Sequence, residues 1–333
     1  MSKTVAVVVT FNRLGLLQVC INALRAQTLP LTKILVINNG STDGTLEWLK
    51  TQSDIESITQ KNLGGAGGFS TAIKTAYTMG FEWIWCMDDD GVPKEDAFEN
   101  LLKADNGELR LLNCAVLNQE DKKTFVWKTG NYTTIEDVKT NMLEGVGHPF
   151  NGTLLNRRIV ERVGVPRSEF FLWGDESEYY QRITRRNKIP VFTVASSIHY
   201  HPPTAFTYKN DWDFKSNWKM YFYVRNRFHV HKSKFNNTLL AFFNYCCFLI
   251  AMAGIVVVYQ KTDKIKKMGF ILWPATDAFS SNFTQTPQTI LTRLSSSPLE
   301  NYKTGANNYI KYTRQALLSL FTLPGTTRRT AGI

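Results

Sequence analysis

The chain has 333 residues, 43% of them hydrophobic and 13% aromatic, which excludes a disordered protein and leaves room for one large domain with an appendage, or for two domains. Its formal charge of +11 is unevenly placed: residues 1 to 200 carry 22 Lys or Arg against 23 Asp or Glu, whereas residues 201 to 333 carry 17 against 5. The excess positive charge is therefore confined to the last two-fifths of the chain, which argues against a uniformly basic nucleic-acid-binding protein.

The five cysteines, Cys20, Cys86, Cys114, Cys246 and Cys247, are odd in number and show no metal-ligand spacing, so a reducing compartment is expected. Met1-Ser2-Lys3 leads straight into the first predicted strand with no signal-peptide pattern, so the catalytic part is expected in the cytoplasm.

Thr4 to Thr10 is a continuous run rich in valine, the pattern of a strand buried on both faces of a parallel sheet. A helix follows to about Ala26, then a second strand from Leu31 to Ile37, closed by the polar turn Asn38-Asn39-Gly40-Ser41-Thr42-Asp43-Gly44-Thr45. A third strand near Ile55 to Thr59 leads to Asn62-Leu63-Gly64-Gly65-Ala66-Gly67-Gly68-Phe69, read as a glycine loop, and to a helix through Tyr77. Strand and helix alternate, as in a doubly wound α/β sheet, whose ligands bind beyond the carboxyl ends of the strands. The glycine run follows neither the dinucleotide order nor a P-loop, so it is either a plain loop or a place where backbone must come close to a sugar or phosphate.

The apolar strand at Trp83 to Met87 then runs into Asp88-Asp89-Asp90-Gly91. Three adjacent carboxylates repel one another, so something positive must compensate them. Hard oxygen ligands suit Mg²⁺ or Mn²⁺, and an ordinary solvated acidic turn is the alternative. A second chemical stretch, Phe170-Phe171-Leu172-Trp173-Gly174-Asp175-Glu176-Ser177-Glu178-Tyr179, turns abruptly from aromatic to acidic where a helix begins; acids there also complement the helix dipole. A last strand from Val191 ends in His199-Tyr200-His201, and histidine beside acidic groups can ligate a metal.

Taken in order, these motifs resemble family two of the inverting nucleotide-sugar glycosyltransferases, with a GT-A (Rossmann-like) mixed sheet flanked by helices, and more narrowly its bacterial galactofuranosyltransferase and rhamnosyltransferase branch. The resemblance is carried by Val8 to Arg13, Asn38 to Thr45, Asn62 to Phe69, Asp88 to Gly91 and Trp173 to Tyr179, and spans residues 4 to 205. It implies a catalytic domain over 1–205, with the nucleotide-sugar and metal site in 1–95 and the acceptor and base part in 96–205. Thr10, Asn12, Asn39 and Asp43 would then lie around the donor base and ribose, with Asn38 in place of the usual acidic residue. Asn62, Gly65, Asp88 and Asp89 join the nucleotide-sugar contacts. Asp90, Asp88 and His199 would hold Mg²⁺ or Mn²⁺, with His201 as the substitute for His199.

Glu176 matches the position of the general base, Asp175 would bind or orient the acceptor, and Trp173 would stack on it. The implied reaction is transfer of galactofuranose from UDP-galactofuranose, or of rhamnose from dTDP-rhamnose, to a polyprenyl-linked glycan in bacterial cell-surface polysaccharide synthesis such as O antigen. Oligomerisation is left open.

Beyond His201 the sequence changes character. Residues 206 to 235 interleave Trp212, Trp218, Tyr221, Tyr223 and Phe228 with Lys215, Lys219, Arg225, Arg227, Lys232 and Lys234, a pattern also found in single-strand nucleic-acid binders. The acidic clusters upstream argue against that rival. Leu239 to Tyr259 is long and apolar enough to span a bilayer, yet Lys261, Lys264, Lys266 and Lys267 follow it and basic residues also precede it. The expectation is a basic helical region over 206–323 lying against the anionic inner leaflet, and a flexible tail over 324–333. Asp277 resembles a weak terminal motif of the same branch.

Overall fold

The computed structural model describes residues 3–203, 210–213 and 217–295; Lys215 and the tail from Pro324 lie outside them. Two compact units form, one from residues 1–207 and 229–242, the other from 208–228 and 243–333.

The first unit is built on one mixed sheet of eleven strands among the described residues. They are β1 (Thr4–Thr10), β2 (Lys33–Asn38), β3 (Ile55–Thr59), β4 (Trp83–Asp88), β5 (Val92–Pro93), β6 (Leu111–Asn118), β7 (Thr124–Thr129), β8 (Tyr132–Thr134), β9 (Met142–Glu144), β10 (Asn151–Asn156) and β11 (Val191–His201). The main order is β3-β2-β1-β4-β10-β6-β11-β5, with β7, β8 and β9 paired off this path. β1 to β4 are parallel, as expected of alternating strands and helices; β10 then enters antiparallel to both β4 and β6, which makes the sheet mixed.

Helices α1 (Leu14–Arg25), α2 (Thr45–Lys50), α3 (Gly64–Thr78), α4 (Ala97–Lys103), α5 (Arg157–Val163) and α6 (Asp175–Gln181) flank the sheet. β1 shows why its valines were needed on both faces. Val5, Val7 and Val9 pack with Phe69, Ala72, Ile73 and Ala76 of α3, whereas Ala6 and Val8 pack with Leu17, Cys20, Ile21 and Leu24 of α1. Burying a side chain of this kind contributes roughly 1.5–3 kcal/mol.

One expectation changes. Gly64 to Gly68 are not a loop but the opening turns of α3. The glycines are there because the helix presses on its neighbours: a Cβ on Gly68 would lie 2.3 Å from Val9 Cγ1, and one on Gly67 2.3 Å from Leu63 Cβ. At Gly67 and Gly68 the close approach is to protein side chains.

In the second unit, described over 210–213, 217–228 and 243–295, α7 (Met220–Phe235), α8 (Thr238–Tyr259), α9 (Lys264–Phe279) and α10 (Pro287–Ser295) contribute the helices. Tyr245 donates to the Val224 carbonyl at 2.9 Å, and its ring meets those of Phe228 and Phe279. Arg225 is fully buried, its guanidinium against the rings of Tyr221, Phe222 and Phe283. Asp277 is buried too, accepting from Tyr221 Oη and Asn282 Nδ2, so it braces the helices.

α8 buries a stripe of Tyr245, Met252 and Val256 in this unit and leaves Phe243, Ile250, Val257 and Val258 exposed, Ile250 at 72% and Val258 at 71%. Of the four lysines after α8, Lys267 is not a surface cation: it is fully buried, with Nζ 2.6 Å from Asp211.

Candidate active site

The parallel strands deliver their carboxyl ends side by side. Val9 pairs with Asp88 and Thr10 with Asn38, so the turns after β1, β2 and β4 converge at one edge. The turn after β2 is stitched to the turn after β1: Asn12 Oδ1 accepts from the Thr42 amide at 2.7 Å, and Ser41 Oγ accepts from the Asn12 amide at 2.9 Å. Asp43 accepts from the amides of Leu14 and Thr45 and from the Thr45 hydroxyl; burial opposes its charge, but these bonds together outweigh it and hold its carboxyl below the usual carboxylate range.

Asn38 and Asn39 lie inside the fold. Both are buried, at 0% and 2% exposure. Asn38 Oδ1 accepts from the Ser41 amide, and the Asn39 side chain donates to the Gly64 carbonyl at 2.8 Å while accepting from Gln60 Nε2 and the Leu63 amide. They shape the turns and do not line a cleft. Asn62 is exposed and accepts from the Gly64 amide, and Gly65 is the glycine of the run whose Cβ position faces open space.

The three aspartates diverge in role. Thr10 Oγ1 donates to Asp89 Oδ2 at 2.7 Å, which fixes Asp89 inside the fold. Arg13, left without a role by the sequence, supplies the positive charge: its Nη1 lies 3.1 Å from Asp89 Oδ1 and 2.8 Å from Asp90 Oδ2. Burial, then the charges of Asp90, Asp89 and Glu176, push Asp88 well above the usual range. Asp89 is also raised, chiefly by burial. Asp90 goes the other way: burial opposes its charge, but His201 and Arg13 outweigh it and hold its carboxyl low.

His201, not His199, faces Asp90. His201 Nε2 lies 3.4 Å from Asp90 Oδ1, a contact too poorly directed for a hydrogen bond, and Oδ1 has no other polar partner among the described residues. His199 sits two residues deeper along β11, about 6.6 Å further from the strand end. Its ring is fully buried beneath Gly91, where a Cβ would come within 2.2 Å of Nε2, and burial, helped by His201, pushes its pKa down to about 3. Strand alternation puts both histidines on one face; His201 contacts Asp90, and His199, deeper along the strand, feels its charge.

His201 Nδ1 is 2.7 Å from the Pro202 carbonyl, which can only accept, so Nδ1 carries a proton. In the neutral ring Nε2 then presents a lone pair toward a carboxylate oxygen. Two acceptors at that distance need a cation between them or a second proton on the ring. A carboxylate oxygen and an imidazole nitrogen whose other nitrogen is anchored to a backbone carbonyl fit a divalent ion. Trp127 completes the surroundings, its ring 4.9 Å from His201 and 5.3 Å from His148.

Across the same unit, α6 opens on Asp175 and Glu176 after Gly174 in the left-handed region. Asp175 is 3% exposed; burial, then the charges of Glu176 and Asp88, raise its carboxyl well above the usual range. Glu176 is raised by burial as well, but backbone amides and the Asp175 carboxyl support its charged form. Burial thus disfavours the charge on both members of this adjacent pair, Asp175 the more strongly. The charge of Glu176 acts on Asp88, so the carboxyl end of β4 and the start of α6 lie near each other in this unit.

Glu178, the third acid of the stretch, is structural. It is buried, pairs with Arg182 at 2.9 Å and accepts from Ser233 Oγ at 2.7 Å; Arg182 also donates to the carbonyls of Val163 and Val165. Trp173 is half-buried with φ 55°, in the strained loop just before the pair.

Known proteins resemble this chain in sequence and in fold. The sequence profile described as "Glycosyl transferase family 2" matches residues 5–164. The chain is 31% identical over 213 residues to galactofuranosyltransferase GlfT1 of Mycolicibacterium smegmatis, covering 59% of this chain and 70% of that protein. It is 31% identical over 211 residues to GlfT1 of Mycobacterium tuberculosis H37Rv, covering 59% and 69%. Among solved structures, residues 1–349 of S. aureus TarS in complex with UDP-GlcNAc match with a TM-score of 0.55 at 13% identity, covering 83% of this chain and 81% of that one. The likeness to TarS shows the fold alone, a GT-A glycosyltransferase fold. The chain belongs to glycosyl transferase family 2.

Proposed function

We propose that the protein is an inverting galactofuranosyltransferase that moves galactofuranose from UDP-galactofuranose to a polyprenyl-linked glycan at the inner face of the cell membrane. The observation that carries this is the nearness of the aspartates at the end of β4 to the acid pair that opens α6. The GlfT1 relatives supply the sugar class. dTDP-rhamnose is the competing donor in the test.

In this mechanism Glu176 accepts the proton of the acceptor hydroxyl as its oxygen bonds to the anomeric carbon. The bond from that carbon to the diphosphate breaks on the opposite side, giving inversion and free UDP. Asp175, protonated, donates toward Glu176 and keeps it oriented. Asp90 and His201 would hold a divalent cation, which supplies Lewis-acid stabilisation of the departing diphosphate. Arg13 holds Asp89 and Asp90 in place.

Membrane attachment is read from α8. Its 22 residues are apolar enough to cross a bilayer, but one stripe is buried by the protein, which favours a helix lying in the leaflet. Its exposed face is followed by the exposed lysines Lys261 and Lys264, suited to anionic headgroups.

Glu176→Gln is expected to bind UDP within about threefold of wild type and to lose about a thousandfold or more in UDP release from UDP-galactofuranose plus acceptor. Normal turnover would remove Glu176 as the base, and a preference for dTDP-rhamnose would move the donor assignment. Glu176 must be unprotonated to act and burial raises its pKa, so kcat/KM should fall as pH is lowered through a midpoint above that of an exposed glutamate. A profile flat down to the ordinary carboxylate range contradicts this.

His201→Ala should weaken Mn²⁺ binding, measured by calorimetry without donor, by about 10- to 100-fold, and more than His199→Ala does. The reverse order would return the ligand role to His199. The double variant Ile250→Asp, Val258→Asp should co-sediment with phosphatidylglycerol vesicles about tenfold less than wild type; equal binding would place the lipid contact elsewhere.

A further inference from the structure

The loop that leads into the acid pair is held in an uncommon conformation. Phe171 has φ 64° and ψ −60°, and the Leu172 amide donates to the Phe170 carbonyl at 2.7 Å. This is the rare, strained form of the γ-turn. Trp173 at φ 55° and Gly174 at φ 104° follow, so three of the four residues before Asp175 lie at positive φ. Such strain persists only where the surroundings impose it.

The surroundings here are the opening turn of α3. The Phe171 carbonyl accepts from the Ala66 amide at 3.2 Å, filling one of the unpaired positions at that helix N-terminus. It lies over Gly64 so closely that a Cβ there would be 1.9 Å from the Phe171 oxygen. Gly64 is itself at φ 70°. The turn is fixed from below by Asn39, which donates to the Gly64 carbonyl and accepts from the Leu63 amide, and by Asn62, which accepts from the Gly64 amide. A continuous series of bonds therefore runs from the end of β2, through the glycine turn, to the loop carrying Asp175 and Glu176.

We propose that this glycine turn is the seat of the base-bearing loop: Gly64 and Ala66 are positioning residues that hold Glu176 and Asp175 through the Phe171 carbonyl, and are not donor ligands. A side chain at position 64 cannot coexist with the carbonyl. It would free the loop to relax its γ-turn and move the acid pair, while the ends of β1 and β4 stay as they are. The consequence for turnover rests on the transferase reading above; the consequence for the loop does not.

The test compares wild type, Gly64→Ala and Asn39→Asp as full-length protein. Asn39→Asp is nearly isosteric and turns the donor to the Gly64 carbonyl into an acceptor, so it carries the test should Gly64→Ala fail to fold. Amide hydrogen exchange without ligand should be about tenfold or more faster over residues 168–178 in Gly64→Ala, less so in Asn39→Asp, and unchanged over β4. Calorimetric UDP affinity should stay within about threefold, while kcat falls about tenfold or more at constant donor KM.

Unchanged exchange over 168–178 overturns the proposal, as does lost UDP affinity at normal kcat, which would return the glycines to the donor. Faster exchange in a protein whose wild type transfers no sugar would leave the seat standing and remove the transferase reading.

Discussion

Five carboxylates gather in one poorly solvated region of the first unit, and the rest of the unit answers to their repulsion. Asp88, Asp89 and Asp90 lie where β4 ends, and Asp175 and Glu176 where α6 begins. At an effective dielectric constant near 20, two unit charges 4 Å apart interact by about 4 kcal/mol, so five cannot all be ionised without cations among them. The fold meets this in two ways. Arg13 bridges Asp89 and Asp90, and burial leaves Asp88 and Asp175 disposed to keep protons. Asp90, beside His201 and Arg13, is favoured in its charged form, while Glu176 is raised by burial against the support of backbone amides. In the transfer proposed above, Asp90 would serve the leaving diphosphate and Glu176 the attacking hydroxyl.

Much of the polar sequence near the cleft works as scaffold. Asn12, Asn38, Asn39 and Asp43 spend their hydrogen bonds building two interlocked turns, and Glu178 with Arg182 ties α6 to the chain after α5. Rigid turns of this kind keep the strand ends from drifting under charge repulsion. The same economy appears in the second unit, where Lys267 and Asp277 look like surface or site charges in the sequence but are buried with partners.

The alternating strands and helices, the two-faced burial of β1 and the converging carboxyl ends were legible in the chain, because hydrophobic periodicity reflects local geometry. The acidic stretches at 88–90 and 175–176 and the long apolar helix were legible for the same reason: each is contiguous. Tertiary structure alone decided which of two like residues reaches the site. His199 and His201 share a strand face, and only depth along β11, set by its pairing with β5 and β6, brings His201 to Asp90. It alone turned Asn38 and Asn39 inward, converted a presumed glycine loop into a helix start beneath Phe171, and gave Arg13 to the aspartates. Those outcomes depend on contacts between residues far apart in the chain, and a linear pattern does not encode such distances.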